Sequence, residues 1–205
     1  GYRRRADPAW VEELTRDLMP ALVIPEGGDN AEGFAGCREL GRAIAALEGG
    51  WDVIALACGT GTTLAGLVAG SGAFVLGVAA LRDAAGITAR AAAHLAPVGP
   101  DSSGHRLSPD TDSCARFLVL DRFAGRGFAR VDAELAGFMA QFSGRSGVPL
   151  DPVYTGKLFH GLHTLVGEGR FPPGTRVLAL HTGGLQGARA ASGGGMMPAA
   201  RAVPL

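Results

Sequence analysis

The 205-residue chain has 19 lysines and arginines together, and only one of them, Lys157, is a lysine. A catalytic amine, if the chain supplies one, has a single candidate. Cysteine is nearly as scarce. Cys37, Cys58 and Cys114 are odd in number and form no C-x-x-C pair, which excludes a disulfide framework or a zinc knuckle and suits a reducing cytoplasm. No charge excess exists either: 19 basic residues face 19 acidic ones. Nucleic acid is therefore not an expected partner, and Arg3-Arg4-Arg5 reads as a solvated face or linker. The apolar runs fall short of the roughly 18 residues that a membrane span needs, and no charged stretch followed by an apolar core opens the chain, so it reads as soluble. It begins with Gly1 rather than Met, and thus reads as a piece of something longer.

What is present is material for one packed domain. Hydrophobic residues make up 47% and charged residues 19%, the balance of a globule with a core. The 33 glycines cluster after apolar runs, where turns and close backbone approach use them. Periodicity predicts helices over Trp10–Leu18, Gly33–Leu47, Leu64–Gly70, Asp83–Leu95 and Val131–Phe142, and one running from Asp151-Pro-Val-Tyr-Thr-Gly-Lys157 to Val166. Strands are predicted over Ala21–Ile24, Trp51–Ala57, Ala73–Ala80, Arg116–Phe123 and Thr175–Leu180. The continuous apolar character of Trp51–Ala57 predicts burial on both faces, as in a parallel sheet. Pro97–Ser113 is dense in turn formers and reads as a long loop or lid, and residues 188–205 as a flexible tail. Strand and helix alternate, so the fold class is α/β: an open, twisted parallel sheet with helices on both faces. Three glycine-rich turns, GGDN (27–30), CGTGTT (58–63) and HTGG (181–184), fall at the carboxyl ends of strands and predict one shared cleft there.

The turn Gly59-Thr60-Gly61-Thr62-Thr63 lies between a strand and a helix, which directs backbone N–H groups and the helix macrodipole toward an anion. A phosphate seat and a plain turn are both compatible with it. A Walker loop is excluded, since no Gly-Lys-Ser/Thr follows, and the dinucleotide fingerprint fits poorly because Leu64 occupies its third glycine position.

Four ordered stretches, IPEGGDNAEGFAGCREL (24–40), ACGTGTTLAGL (57–67), LDPVYTGKLFHGL (150–162) and LALHTGG (178–184), resemble the second half of the 1-aminocyclopropane-1-carboxylate deaminase/D-cysteine desulfhydrase family. That family consists of fold-type II enzymes using pyridoxal 5′-phosphate (PLP), and the likeness covers about Trp10 to Gly187. It implies that residues 1–187 are part of a PLP-binding α/β domain whose N-terminal part and small domain are absent. It also implies that Gly59, Thr60, Gly61, Thr62 and Thr63 hold the PLP phosphate and that Tyr154 borders the substrate side of the ring as the catalytic candidate. Thr155 would face the pyridine nitrogen, with Thr182 a second candidate, and Asn30 with its glycine pair would shape the cofactor wall. Relatives bind PLP through a lysine in a GNK-type segment near the N-terminus, which this sequence does not contain. Lys157 matches instead the helix lysine after Tyr-Thr-Gly, and is read as structural.

Two departures bear on substrate. The deaminases typically carry Glu where Thr155 stands; a hydroxyl can donate to an unprotonated ring nitrogen, which suits loss of a β-leaving group. Phe128 in GRGF replaces a usual tyrosine. The function implied is a cytoplasmic, homodimeric PLP-dependent lyase or deaminase acting on a small amino acid. The rival readings are a non-catalytic relative or partner-completed binding subunit, and a nucleotide-binding α/β protein.

The remaining candidates read as structural. His160 and His163, three apart on a helix, lack a third ligand, so no metal site is expected. His181 reads as a hydrogen-bonded structural histidine, Cys58 as a small apolar filler, and Asp121 and Asp151 as loop or cap groups.

Overall fold

The computed structural model describes residues 7–18, 20–96, 116–127 and 129–185. The expectations for Arg3-Arg4-Arg5, the long loop, Cys114, Phe128 and the tail lie outside these residues. The elements in order are α1 (Pro8–Thr15), α2 (Ala31–Ala45), β1 (Val53–Cys58), α3 (Thr62–Ser71), β2 (Phe74–Ala79), α4 (Ala84–Leu95), β3 (Phe117–Leu120), α5 (Ala133–Ser146), α6 (Thr155–Gly167) and β4 (Val177–Ala179).

All strand pairings are parallel, in the order β3-β2-β1-β4. Alternation along β1 divides its side chains between two cores. Ile54, Leu56 and Cys58 face a cluster with Leu64, Leu67, Ile87 and Ala91, from α3 and α4. Val53 and Ala55 face Leu158, Leu162 and Leu165 of α6. Both faces of the strand are thus dry, the reason its sequence is an unbroken apolar run. From β1 the chain steps outward through β2 to β3, then returns to the opposite side of β1 as β4. Right-handed crossovers in opposite directions put their helices on opposite faces and leave a switch point between β1 and β4, where open parallel sheets bind ligands.

Helices α2 and α3 cross closely because glycines meet there. A Cβ placed on Gly41 would lie 2.9 Å from the Cα of Gly70, and one on Gly66 would lie 2.6 Å from the carbonyl carbon of Cys37. One predicted strand is absent: Ala21–Ile24 has no regular structure and pairs with no strand among the described residues, leaving Leu22 89% and Ile24 71% exposed. Apolar, β-prone residues make a strand only when a neighbour completes the ladder. The predicted Val131–Phe142 helix begins two residues later and runs to Ser146, capped by the Asp132 side chain at Leu135 N (2.9 Å).

Candidate functional site

The turn after β1 is built by Gly61, whose φ of 103° belongs to the left-handed region that glycine enters freely. None of the backbone N–H groups from Gly59 to Leu64 donates to another described residue; the helical ladder starts with Ala65 N to Gly61 O at 2.9 Å. Unpaired N–H groups where the turn enters α3 are the kind of donors that can receive a small oxyanion. Gly59, Thr60, Gly61 and Thr63 line the hollow above the turn, and Thr62 does not. Thr62 is 2% exposed and donates its hydroxyl to Asp29 Oδ1 at 2.8 Å.

The other two glycine turns close on this one. A Cβ on Gly27 would lie 2.7 Å from the Thr60 methyl carbon, so the GGDN turn rests on the loop. Asn30 acts as the N-cap of α2, its side chain accepting from Gly33 N at 2.8 Å. On the other side, a Cβ on Gly59 would stand 3.6 Å from the Tyr154 ring and 3.7 Å from its hydroxyl, while Gly184 of the HTGG turn abuts the Asp151 carboxylate. The carboxyl ends of β1 and β4 and the start of α6 therefore meet at one place.

Asp151 organises the start of α6. It is 1% exposed and accepts from the N–H groups of Val153 (2.9 Å), Tyr154 (2.8 Å) and Thr155 (2.8 Å), and from the Thr155 hydroxyl (2.7 Å). Burial raises the carboxyl's pKa, but these bonds outweigh it and hold the value below 3.8. Of the loop or cap roles expected from sequence, it fills the loop one: it stands three residues ahead of Tyr154, the N-cap of α6, and braces the turn that leads into the helix. Thr155, fully buried, also accepts from Asp151 N at 2.8 Å. Its one hydroxyl proton is committed to the carboxylate, which leaves a lone pair rather than a proton for any further partner.

Thr182 is exposed and makes no hydrogen bond among the described residues. Its neighbour His181 is structural: Nδ1 accepts from Gly183 N (3.2 Å), so the ring proton sits on Nε2 and donates to Pro149 O (2.8 Å). Lys157, 1% exposed, sends its ammonium to Ala80 O (2.6 Å) and Gly127 O (2.8 Å), tying α6 to the end of β2 and the loop after β3. Burial depresses its pKa, opposed by the charges of Asp132 and Asp151. Both lysine hydrogen bonds go to the protein's own backbone, the structural role read from sequence. Cys58 is packed among apolar groups, and burial pushes its thiol up to about 12, so it is no nucleophile. His160 sits 3.3 Å from Glu134 and packs with His163 on Phe138.

Sequence reasoning missed Asp29, Arg90 and His94, which stand directly behind the loop. Arg90 Nε donates to Thr60 O at 2.9 Å, and His94 Nε2 bonds Asp29 Oδ1 at 2.6 Å. The only signal was the four-residue spacing of Arg90 and His94, which puts both on one face of α4.

Comparison with known proteins agrees with this geometry. A putative 1-aminocyclopropane-1-carboxylate deaminase of Pyrococcus horikoshii is 32% identical over 86% of this chain and 53% of its own length. The bifunctional D-cysteine desulfhydrase/1-aminocyclopropane-1-carboxylate deaminase of Arabidopsis thaliana, a mitochondrial protein, is 30% identical over 87% of this chain and 45% of its own length. A crystal structure of an ACC deaminase homologue superposes with a TM-score of 0.67 at 27% identity, covering 88% of this chain and 55% of the other. The chain spans about half the length of the curated relatives it matches. Residues 2–183 match the family described as pyridoxal-phosphate dependent enzyme. With a parallel sheet and this match across most of its length, the chain belongs to the pyridoxal-phosphate dependent enzymes.

Proposed function

We propose that this chain forms the phosphate- and ring-binding portion of a PLP-dependent lyase or deaminase acting on a small amino acid. The observation that carries the proposal is the row of uncommitted N–H groups from Gly59 to Leu64, facing Tyr154 across the switch point. Bound PLP supplies an electron sink that labilises the bonds at the α-carbon of an amino acid. The residues of this chain supply orientation. Gly59, Thr60, Gly61 and Thr63 would seat the phosphate, with Thr62 behind them fixing the turn. Tyr154, beside Gly59, would border the ring on the side where substrate enters. Thr155 offers a lone pair backed by the Asp151 carboxylate, which would favour a protonated ring nitrogen. That reverses the preference expected from a free threonine hydroxyl, and it makes deamination as accessible as β-elimination.

Asn30 and Thr182 would contribute walls, the first through its cap and the second as the exposed side chain of the HTGG turn. The lysine that carries PLP lies elsewhere in the working enzyme, since Lys157 is bonded to two carbonyls. A cytoplasmic homodimer fits this reading, and no helix of the described residues is long and apolar enough to cross a membrane. The test is spectroscopic. The complete gene product should be yellow and bleach with borohydride; a colourless protein indifferent to added PLP would remove the proposal.

A further inference from the structure

Three elements contribute to one chain of hydrogen bonds behind the loop. His94 Nε2 on α4 and the Thr62 hydroxyl on α3 both reach Asp29 Oδ1, at 2.6 and 2.8 Å, and the Thr60 and Thr62 hydroxyls lie 3.1 Å apart. A threonine has a single hydroxyl proton. Asp29 takes that of Thr62, so Thr60 must donate to Thr62, and both protons point inward. The His94 ring is held in plane by stacking on Phe34 of α2, centroids 5.4 Å apart and planes 4° apart. Arg90, one turn earlier on α4, grips Thr60 O and is itself bonded to Asp83 at 3.1 Å.

A carboxylate beside a phosphate seat is electrostatically adverse unless cations face it. Arg90 fulfils that condition, and His94 adds a hydrogen bond to Asp29 Oδ1 at 2.6 Å. The outward-facing donors are then the backbone N–H groups and one hydroxyl, that of Thr63, which accepts from the Cys37 thiol at 3.6 Å and keeps its proton free.

We propose that Asp29 and His94 are a positioning pair for the phosphate seat: without touching the phosphate, they lock Thr62 and Thr60 so that the loop's N–H groups and the Thr63 hydroxyl receive it. The proposal rests on the reading of residues 59–64 as that seat.

The experiment compares PLP with pyridoxal, which lacks the phosphate, as ligands of the complete protein stripped of cofactor. Asp29→Ala and His94→Leu should each weaken PLP binding about tenfold, the loss expected when one partner of a half-buried, charge-assisted hydrogen bond is removed, and leave pyridoxal affinity unchanged. The double variant should be no worse than either single one, because one chain is broken in each case. His94→Gln, which keeps an N–H donor, should restore most of the affinity. Equal losses for both ligands would mean general structural damage and would overturn the proposal. So would unchanged PLP affinity in these variants while Thr63→Val weakens it. If Thr63→Val and Gly61→Ala also leave PLP binding intact, the seat itself is misread. Should the Ala and Leu variants not fold, Asp29→Asn decides: the 31P resonance of bound PLP should move, and an unmoved resonance overturns the proposal.

Discussion

Replacing Lys157 by Met tests whether the chain's one lysine is structural. The substitution keeps the unbranched stem that fills the space under α6 and removes the ammonium with its bonds to Ala80 O and Gly127 O. Hydrogen bonds from a charged donor contribute about 1.5–3 kcal/mol each, opposed by a desolvation cost of several kcal/mol for a buried ammonium. Ala80 is fully buried and Gly127 half-buried, so water can replace the lysine at Gly127 but not at Ala80. The orphaned Ala80 carbonyl then costs about 1–3 kcal/mol, and the variant should lose about 2 kcal/mol overall. Urea unfolding of the complete protein measures this.

The pH dependence supplies a second reading. The lysine's pKa is depressed on folding, so the unfolded chain binds more protons in the interval below 10.5. Wild-type stability relative to the variant must therefore rise as pH climbs through the depressed value toward 10.5, and fall back below it. A variant as stable as wild type, or a difference that shrinks on raising the pH, would refute the structural assignment. So would recovery of borohydride-trapped cofactor on Lys157 itself.

Gly66→Ala should destabilise by about 2 kcal/mol or more in the same assay, because its Cβ would enter the backbone of α2 at Cys37, and packed backbones cannot retreat as a side-chain tip can. Gly61→Ala should cost about 1–3 kcal/mol, since φ of 103° strains any residue with a Cβ and Ile87 O lies 3.0 Å from where it would sit; PLP titration should show weaker binding than in wild type. Asp29 and Asp151 are both held below 3.8 in the folded chain, so they stabilise it above that value and the contribution is lost as pH falls through their lowered values. Acid unfolding monitored by circular dichroism should begin below pH 3.8, and Asp151→Asn should flatten that limb; an unchanged limb would contradict the assignment. Tyr154→Phe should lower kcat while PLP titration stays near wild type, and a loss confined to cofactor affinity would count against its place on the substrate side.

Much of the architecture was legible because it depends on local periodicity. The apolar run read as a strand over Trp51–Ala57 forms one over Val53–Cys58 with both faces buried, and the glycine turn after it starts a helix. The CGTGTT and HTGG turns meet because parallel strands put their carboxyl ends at one edge, whereas the GGDN turn, preceded by no strand among the described residues, joins them by packing Gly27 on Thr60. Ala21–Ile24 misled because strand character in sequence records side-chain preference and says nothing about whether a partner is present.

The sequence by itself determined the alternating α/β order, the glycine-threonine turn between strand and helix at Gly59–Thr63 and the likeness to PLP enzymes, all of them properties of contiguous residues. Only the tertiary structure decided where protons and charges go. Lys157 meets carbonyls 77 and 30 residues away, Thr62 turns from the hollow to Asp29 33 residues away, and Asp29 meets His94 across 65 residues. Such bonds join elements that come together only when the sheet closes, and no spacing along the chain encodes them.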